Sequence, residues 1–217
     1  MRFPTRLSRP SALALAAAAA AVLACGTASA QTQFTGYTNG CFGAGCTPES
    51  APGAATDGLK GLTYANSTFD VLSSGGIAGL GSSGMLNPAN NINNLGSWLL
   101  SGAPNTYADS FTLRVSFTAP PGTSPGSGLF TADLSGDVKS TVTGGLFIDF
   151  NDTPQTFTFA GGTFSLTVAD LSMTPGASPV AVTGNIRVTS AVPEPETYAL
   201  FLAGLGAVGF MARRRKS

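Results

Sequence analysis

The sequence predicts a mainly β protein: an antiparallel β-sandwich or jelly-roll-like passenger domain, flanked by an N-terminal signal peptide and one C-terminal transmembrane helix. Three observations carry this expectation. From Phe69 onward, short apolar runs alternate with clusters of Gly, Pro, Ser and Asn, and no long stretch shows the period of an amphipathic helix. Only 10% of the chain is charged, yet 43% is hydrophobic and 14 residues are Phe, a composition suited to a packed β core rather than to disorder. Each end pairs a basic cluster with an uncharged apolar run, which sets both ends apart from the folded body.

In chain order, residues 1–30 read as the signal peptide. Arg2, Arg6 and Arg9 form a basic start, Ser11 to Ala24 is nearly all Ala and Leu, and Ala28-Ser29-Ala30 gives the small-x-small pattern that places cleavage before Gln31. The apolar run is short beside the roughly 20 residues of a stable span. Val22-Leu23-Ala24-Cys25 also resembles a lipoprotein cleavage box, in which a lipidated Cys25 becomes the new N-terminus.

Residues 31–68 are strand-poor in pattern and are expected to be an irregular segment stapled by Cys41 and Cys46. An even pair of cysteines in an exported chain points to a disulfide. A metal site is disfavoured, because the chain has no His to complete a ligand set.

Residues 69–190 form the expected sandwich. Within it, 73–104 are rich in Gly, Asn and Ser and read as a long loop or weak strands. Phe111 to Phe117 alternates with a period of two; Leu129–Leu134, Val138–Thr143, Leu146–Phe150, Thr156–Phe159, Thr163–Val168 and Val180–Val188 follow as further strands. Pro120 to Gly126 is a loop, and Gly161-Gly162 fits a hairpin turn.

The last segment, 191–217, has three parts: Pro193-Glu194-Pro195, an uncharged run from Thr197 to Ala212, and Arg213-Arg214-Arg215-Lys216. The prolines hold Glu194 in an extended, accessible backbone. As a helix, the uncharged run is about 24 Å long, somewhat under the about 30 Å of a hydrocarbon core. The four cations favour a cytoplasmic end, and so place the body of the protein outside the inner membrane. This tripartite tail resembles the PEP-CTERM sorting signal of Gram-negative bacteria, which is also found on some ice-binding proteins. The resemblance implies recognition at Pro193, Glu194 and Pro195 by exosortase, a membrane enzyme that cuts near the motif and transfers or releases its substrate. It also implies a host that makes extracellular polysaccharide. The tail is an address and is silent on the chemistry of the passenger.

Little in the passenger points to catalysis or a cofactor. Histidine, the commonest general base, is absent. Gly122-Thr123-Ser124-Pro125-Gly126 matches G-x-S-x-G, but Pro125 and the missing His favour a turn over a nucleophile elbow. Asp149 and Asp152 flank Asn151 and are weak candidates for Ca²⁺ or for a carboxylate pair in a hydrolase; Asp133 and Asp137 bracket a further turn signal with the same weak calcium option. Asn66-Ser67-Thr68 and Asn151-Asp152-Thr153 match the N-glycosylation sequon. Nine acidic against four basic residues over 31–192 leave the mature domain near −5, a poor nucleic-acid binder. The expected function is therefore an exported surface or extracellular matrix protein with a non-enzymatic, structural or biofilm-associated role. Its expected partners are signal peptidase and the secretion machinery, exosortase, the membrane through the C-terminal helix, and extracellular polysaccharide. The alternatives are a surface-displayed binding module for carbohydrate, calcium or ice, and a carboxylate-dependent hydrolase.

Overall fold

Strict alternation of apolar and polar residues sets the long strands. In the stretch Asn105–Ala119, the residues Phe111, Leu113, Val115 and Phe117 are buried on one face, and in Ser127–Ser140 the same holds for Phe130, Ala132, Leu134 and Val138. The computed structural model describes residues 31–53, 56–191 and 195–214. In order, the strands are β1 (Gln33–Phe42), β2 (Thr56–Leu59), β3 (Leu62–Ala65), β4 (Thr68–Leu72), β5 (Ile77–Leu80), β6 (Ser97–Leu100), β7 (Asn105–Ala119), β8 (Ser127–Ser140), β9 (Thr143–Phe150), β10 (Gln155–Phe159), β11 (Gly162–Val168), β12 (Leu171–Met173), β13 (Val180–Ala181) and β14 (Gly184–Ala191). One helix, α1 (Pro195–Arg214), follows.

The strands form three antiparallel sheets. A six-stranded sheet runs β12-β9-β8-β7-β1-β4, and two four-stranded sheets run β10-β11-β14-β5 and β13-β6-β3-β2. Ring contacts show that the large sheet packs against both smaller ones. Phe34 of β1 lies 4.9 Å from Phe164 of β11, and Phe117 of β7 lies 4.9 Å from Phe157 of β10. At the other end Phe111 of β7 lies 4.5 Å from Trp98 of β6 and 4.9 Å from Tyr64 of β3. The result is the expected sandwich-like, mainly β fold, with an aromatic core between layers.

The structure corrects the expectation that 31–68 is irregular. β1 is an interior strand, paired with β4 on one side and β7 on the other, and β2 and β3 follow it. The inward positions of β1 run Phe34, Gly36, Thr38, Gly40, Phe42, so the alternation carries few apolar side chains. The gaps are filled from other strands. A Cβ on Gly36 would collide with the Phe69 ring and the Ser116 carbonyl, and one on Gly40 with the rings of Phe111 and Tyr64. Between the glycines, Thr38 Oγ1 lies 3.2 Å from the Tyr64 hydroxyl and accepts from the Ser67 backbone N–H at 3.0 Å.

Three smaller differences concern turns. Leu129–Leu134 and Val138–Thr143 are not separate strands, because β8 runs through Ser135-Gly136-Asp137 without a turn. The β10–β11 hairpin turns at Ala160-Gly161, with Phe159 and Gly162 as its closing pair. The stretch 73–104 holds two short strands, β5 and β6, joined by a loop pinned by buried asparagines. Asn91 Nδ2 donates to the carbonyls of Ala65 and Asn66, and Asn91 Oδ1 accepts from Asn94 Nδ2 and Ser97 Oγ, both at 2.7 Å.

Two predictions follow from this core. Gly40→Ala should lower the unfolding free energy by about 1–3 kcal/mol, the usual cost of overpacking, as read by urea denaturation. The second concerns pH: complete burial, only partly offset by the Thr38 hydrogen bond, raises the Tyr64 phenol well above its ordinary value of 10.0. The folded state therefore favours the neutral phenol, and its contribution to stability is intact below pH 10 and lost as pH rises further. The denaturation midpoint should fall above pH 10, and Tyr64 should form tyrosinate only with global unfolding, a coincidence visible by ultraviolet absorbance.

Candidate functional site

The large sheet turns a polar face outward, and a loop folds over one part of it. Cys41, at the end of β1, is disulfide-bonded to Cys46. The chain after Cys46 is then held down by three outward side chains. The Tyr37 hydroxyl donates to Ser50 O at 2.6 Å, Asn39 Nδ2 donates to Glu49 O and Ala51 O, both at 2.9 Å, and Arg114 Nε donates to Pro48 O at 3.1 Å. Asn39 Oδ1 in turn accepts from Asn66 Nδ2 at 2.9 Å, which makes Asn66 a buried structural residue.

Beside this covered area lies an acidic patch. Asp133 and Asp149 are exposed and directly opposite one another on β8 and β9, and Asp137 follows Asp133 on the same face. Like charges so placed repel. A cavity of about 430 Å³ is lined by Gly43, Asp109, Ser110 and Asp133, and a smaller one of about 240 Å³ by Thr131, Asp133, Asp149 and Asn151. Asp109 is committed to Lys60 at 2.9 Å, the one ion pair among the described residues. Asp152 is exposed in the β9–β10 loop and is not among the residues lining either cavity, so the two candidate carboxylates do not converge on one cleft. No group of three or more metal-ligating side chains occurs among the described residues. Ser124 lies in an exposed loop whose backbone exchanges two 2.8 Å hydrogen bonds with Thr158, a turn held against β10.

The opposite surface, formed by β10, β11 and β14, is rich in hydroxyls. Thr156 faces Ser165 across β10 and β11, and Thr158 faces Thr163. Thr163 Oγ1 and Thr189 Oγ1 are 2.8 Å apart. Thr156 and Thr158 therefore belong to a larger hydroxyl array that the linear sequence of β10 alone does not reveal. Its signal was the same alternation on the neighbouring strands.

At the C-terminal end, α1 begins at Pro195, where the missing N–H leaves no hydrogen bond unmade. Phe201, Leu202, Leu205, Val208 and Met211 are 54–66% exposed, so this helix does not bury its apolar side chains within the chain. Arg213 is exposed near its end. Pro193, Glu194, Arg215 and Lys216 lie outside the described residues, as do Cys25, Ala28 and Ala30. The side chains of Pro195 and Arg214 are likewise not described, whereas Gln31 is exposed just before β1. Residues 191–216 match the PEP-CTERM protein-sorting motif. The chain thus carries a PEP-CTERM sorting tail, which implies exosortase processing and export to the cell envelope or surface. No curated protein and no solved structure matches the chain.

The transmembrane expectation for the tail is corrected. No helix among the described residues is long and apolar enough to cross a membrane. The reason is compositional: α1 opens with Pro195, Glu196 and Thr197, closes with Arg213 and Arg214, and carries Gly204, Gly206 and Gly209 between them. Its uncharged run is about 24 Å long against about 30 Å of hydrocarbon.

The disulfide gives this region its own prediction. Replacing Cys41 and Cys46 by Ser should cost roughly 2 kcal/mol, the loop-closure entropy of so short a ring. It should also open residues 43–53 to limited proteolysis while β7 and β8 stay protected, as followed by mass spectrometry of the fragments.

Proposed function

We propose that this chain is an exported surface or extracellular matrix protein, delivered by its C-terminal tail to exosortase and serving a non-enzymatic, structural or biofilm-associated role. The match of residues 191–216 to the sorting motif carries this reading. It is supported by the position of the motif: β14 ends at Ala191, so Pro193 and Glu194 follow at once on the last strand, and a cut there leaves every strand intact. The exposed apolar face of α1 supports delivery to the membrane. Leu or Phe side chains left in water each forgo about 1.5–3 kcal/mol of burial, a drive toward lipid.

A second reading, a displayed binding module for carbohydrate, calcium or ice, is favoured by the hydroxyl array at Thr156, Thr158, Thr163, Ser165 and Thr189. It shares the tail with the first reading and differs only in what the passenger does outside the cell.

The tail reading is tested in the native host by replacing Pro193, Glu194 and Pro195 with Ala. The variant should lose most of its surface or medium fraction and collect in the membrane with an unprocessed C-terminus, as read by fractionation and intact mass. Wild-type distribution and mass in the variant would sink the proposal. A glycan array, a Ca²⁺ titration and an ice-recrystallisation assay on the purified passenger address the second reading, which fails if all three give no response.

A further inference from the structure

We propose that Asn151 is an acceptor site for N-linked oligosaccharide transfer and that the fold itself withholds the chain's other sequon. The two sequons have opposite surroundings. Asn66 is 5% exposed, its Nδ2 donates to Asn39 Oδ1 at 2.9 Å and to Gly53 O at 3.2 Å, and its Oδ1 accepts from Gly40 N. The nitrogen that would have to react is occupied and sealed between β1 and a covering loop. Asn151 is exposed, in a segment 151–154 whose four residues are all exposed and outside any strand.

The local geometry favours reaction at Asn151. Its backbone N–H donates to Thr131 O at 3.0 Å, which anchors the acceptor to the end of the sheet. Its Oδ1 accepts from the Thr153 backbone N–H at 2.9 Å, an Asx turn that brings acceptor and sequon hydroxyl residue together. Nδ2, the nucleophile, has no partner among the described residues. Two residues earlier, Asp149 ends the exposed row of β9, and it lines the same cavity of about 240 Å³ as Asn151. The stretch Asp149-Phe150-Asn151-Asp152-Thr153 thus offers an exposed charged handle, a carboxamide nitrogen and a hydroxyl within five residues. At Asn66 the equivalent handle is Tyr64, which is buried. Cavities of about 240 and 180 Å³ lie against Asn151; Thr131 lines both and Gln155 the smaller, so polar side chains border the space a first sugar would take.

The step is a glycosyl transfer from a lipid-linked pyrophosphate donor. The C1–O bond of the reducing-end sugar breaks, a C1–Nδ2 bond forms, the carboxamide releases one proton to the transferase, and the lipid pyrophosphate leaves. The inference shares with the export reading only the requirement that the site face the compartment of such donors, and the experiment removes even that dependence. Purified full-length chain is incubated with an oligosaccharyltransferase that requires an acidic residue two positions before the acceptor, and with its undecaprenyl-pyrophosphate oligosaccharide. A reference peptide confirms that the enzyme is active. The expected result is a mass gain of one glycan, mapped by peptide analysis to Asn151, lost in Asn151→Gln and Thr153→Ala, and retained in Thr153→Ser. Asp149→Ala should slow transfer by about tenfold or more, as expected for removal of one side of a charge contact. An unchanged mass for the folded wild-type chain overturns the proposal, as does a glycan on Asn66. Transfer to Asp149→Ala at the wild-type rate overturns the role of the carboxylate.

Discussion

The close approach of aromatic rings to the side-chain-free positions of β1 is the contact on which the rest of this structure depends. β1 lies between β4 and β7, and both small sheets meet it across the core. Gly36 admits the Phe69 ring, and Gly40 admits Phe111 and Tyr64. Tyr64 is thereby fixed so that its hydroxyl donates to Leu95 O at 2.8 Å and lies 3.2 Å from Thr38 Oγ1. That one side chain joins the large sheet, β3 and the loop leading into β6. Because the glycines lie at inward positions of an interior strand, any larger residue displaces a ring that other rings already constrain.

The same contact explains why β1 was illegible in the sequence. Pattern reading finds strands by apolar residues at every second position, and in Gln33–Phe42 two of the five inward positions are glycine and one is threonine. Phe111–Phe117 was legible because each inward residue supplies its own apolar bulk. Ser135-Gly136-Asp137 misled in the opposite sense. It has turn composition, yet Gly136 sits within β8 at a φ of 148°, where a Cβ would meet the backbone of Gly145 on β9. Composition reports what a residue permits, and the neighbouring strand decides which of those options is used.

The functional signals were unevenly legible for a related reason. A sorting tail is read by an external enzyme as composition and order, so it remains visible in the chain. The outward features of the passenger depend on register between strands distant in sequence. Asp133 faces Asp149 only through the β8–β9 pairing, and the hydroxyls of Thr163 and Thr189 meet only through β11–β14. The asparagines of the 81–96 loop are similar: a polar cluster that reads as solvent-facing turn material is in part a buried hydrogen-bond network, with Asn91 and Asn94 fully inaccessible.

The order of strands also bears on how a tail of this kind can be cut without harm. β1, from the beginning of the described chain, is an interior strand that needs β7 on one side, and β14, the last strand, is itself interior between β11 and β5. The sandwich is therefore complete only when nearly the whole passenger is available, but among the described residues no strand lies beyond Ala191. The large core closes against residues that end just before the motif begins, and α1 leaves its apolar side chains exposed rather than in that core. Stability and address are thus carried by adjoining but separate stretches of chain. Loss of the tail removes exposed apolar surface and leaves the burial that holds the fold together untouched.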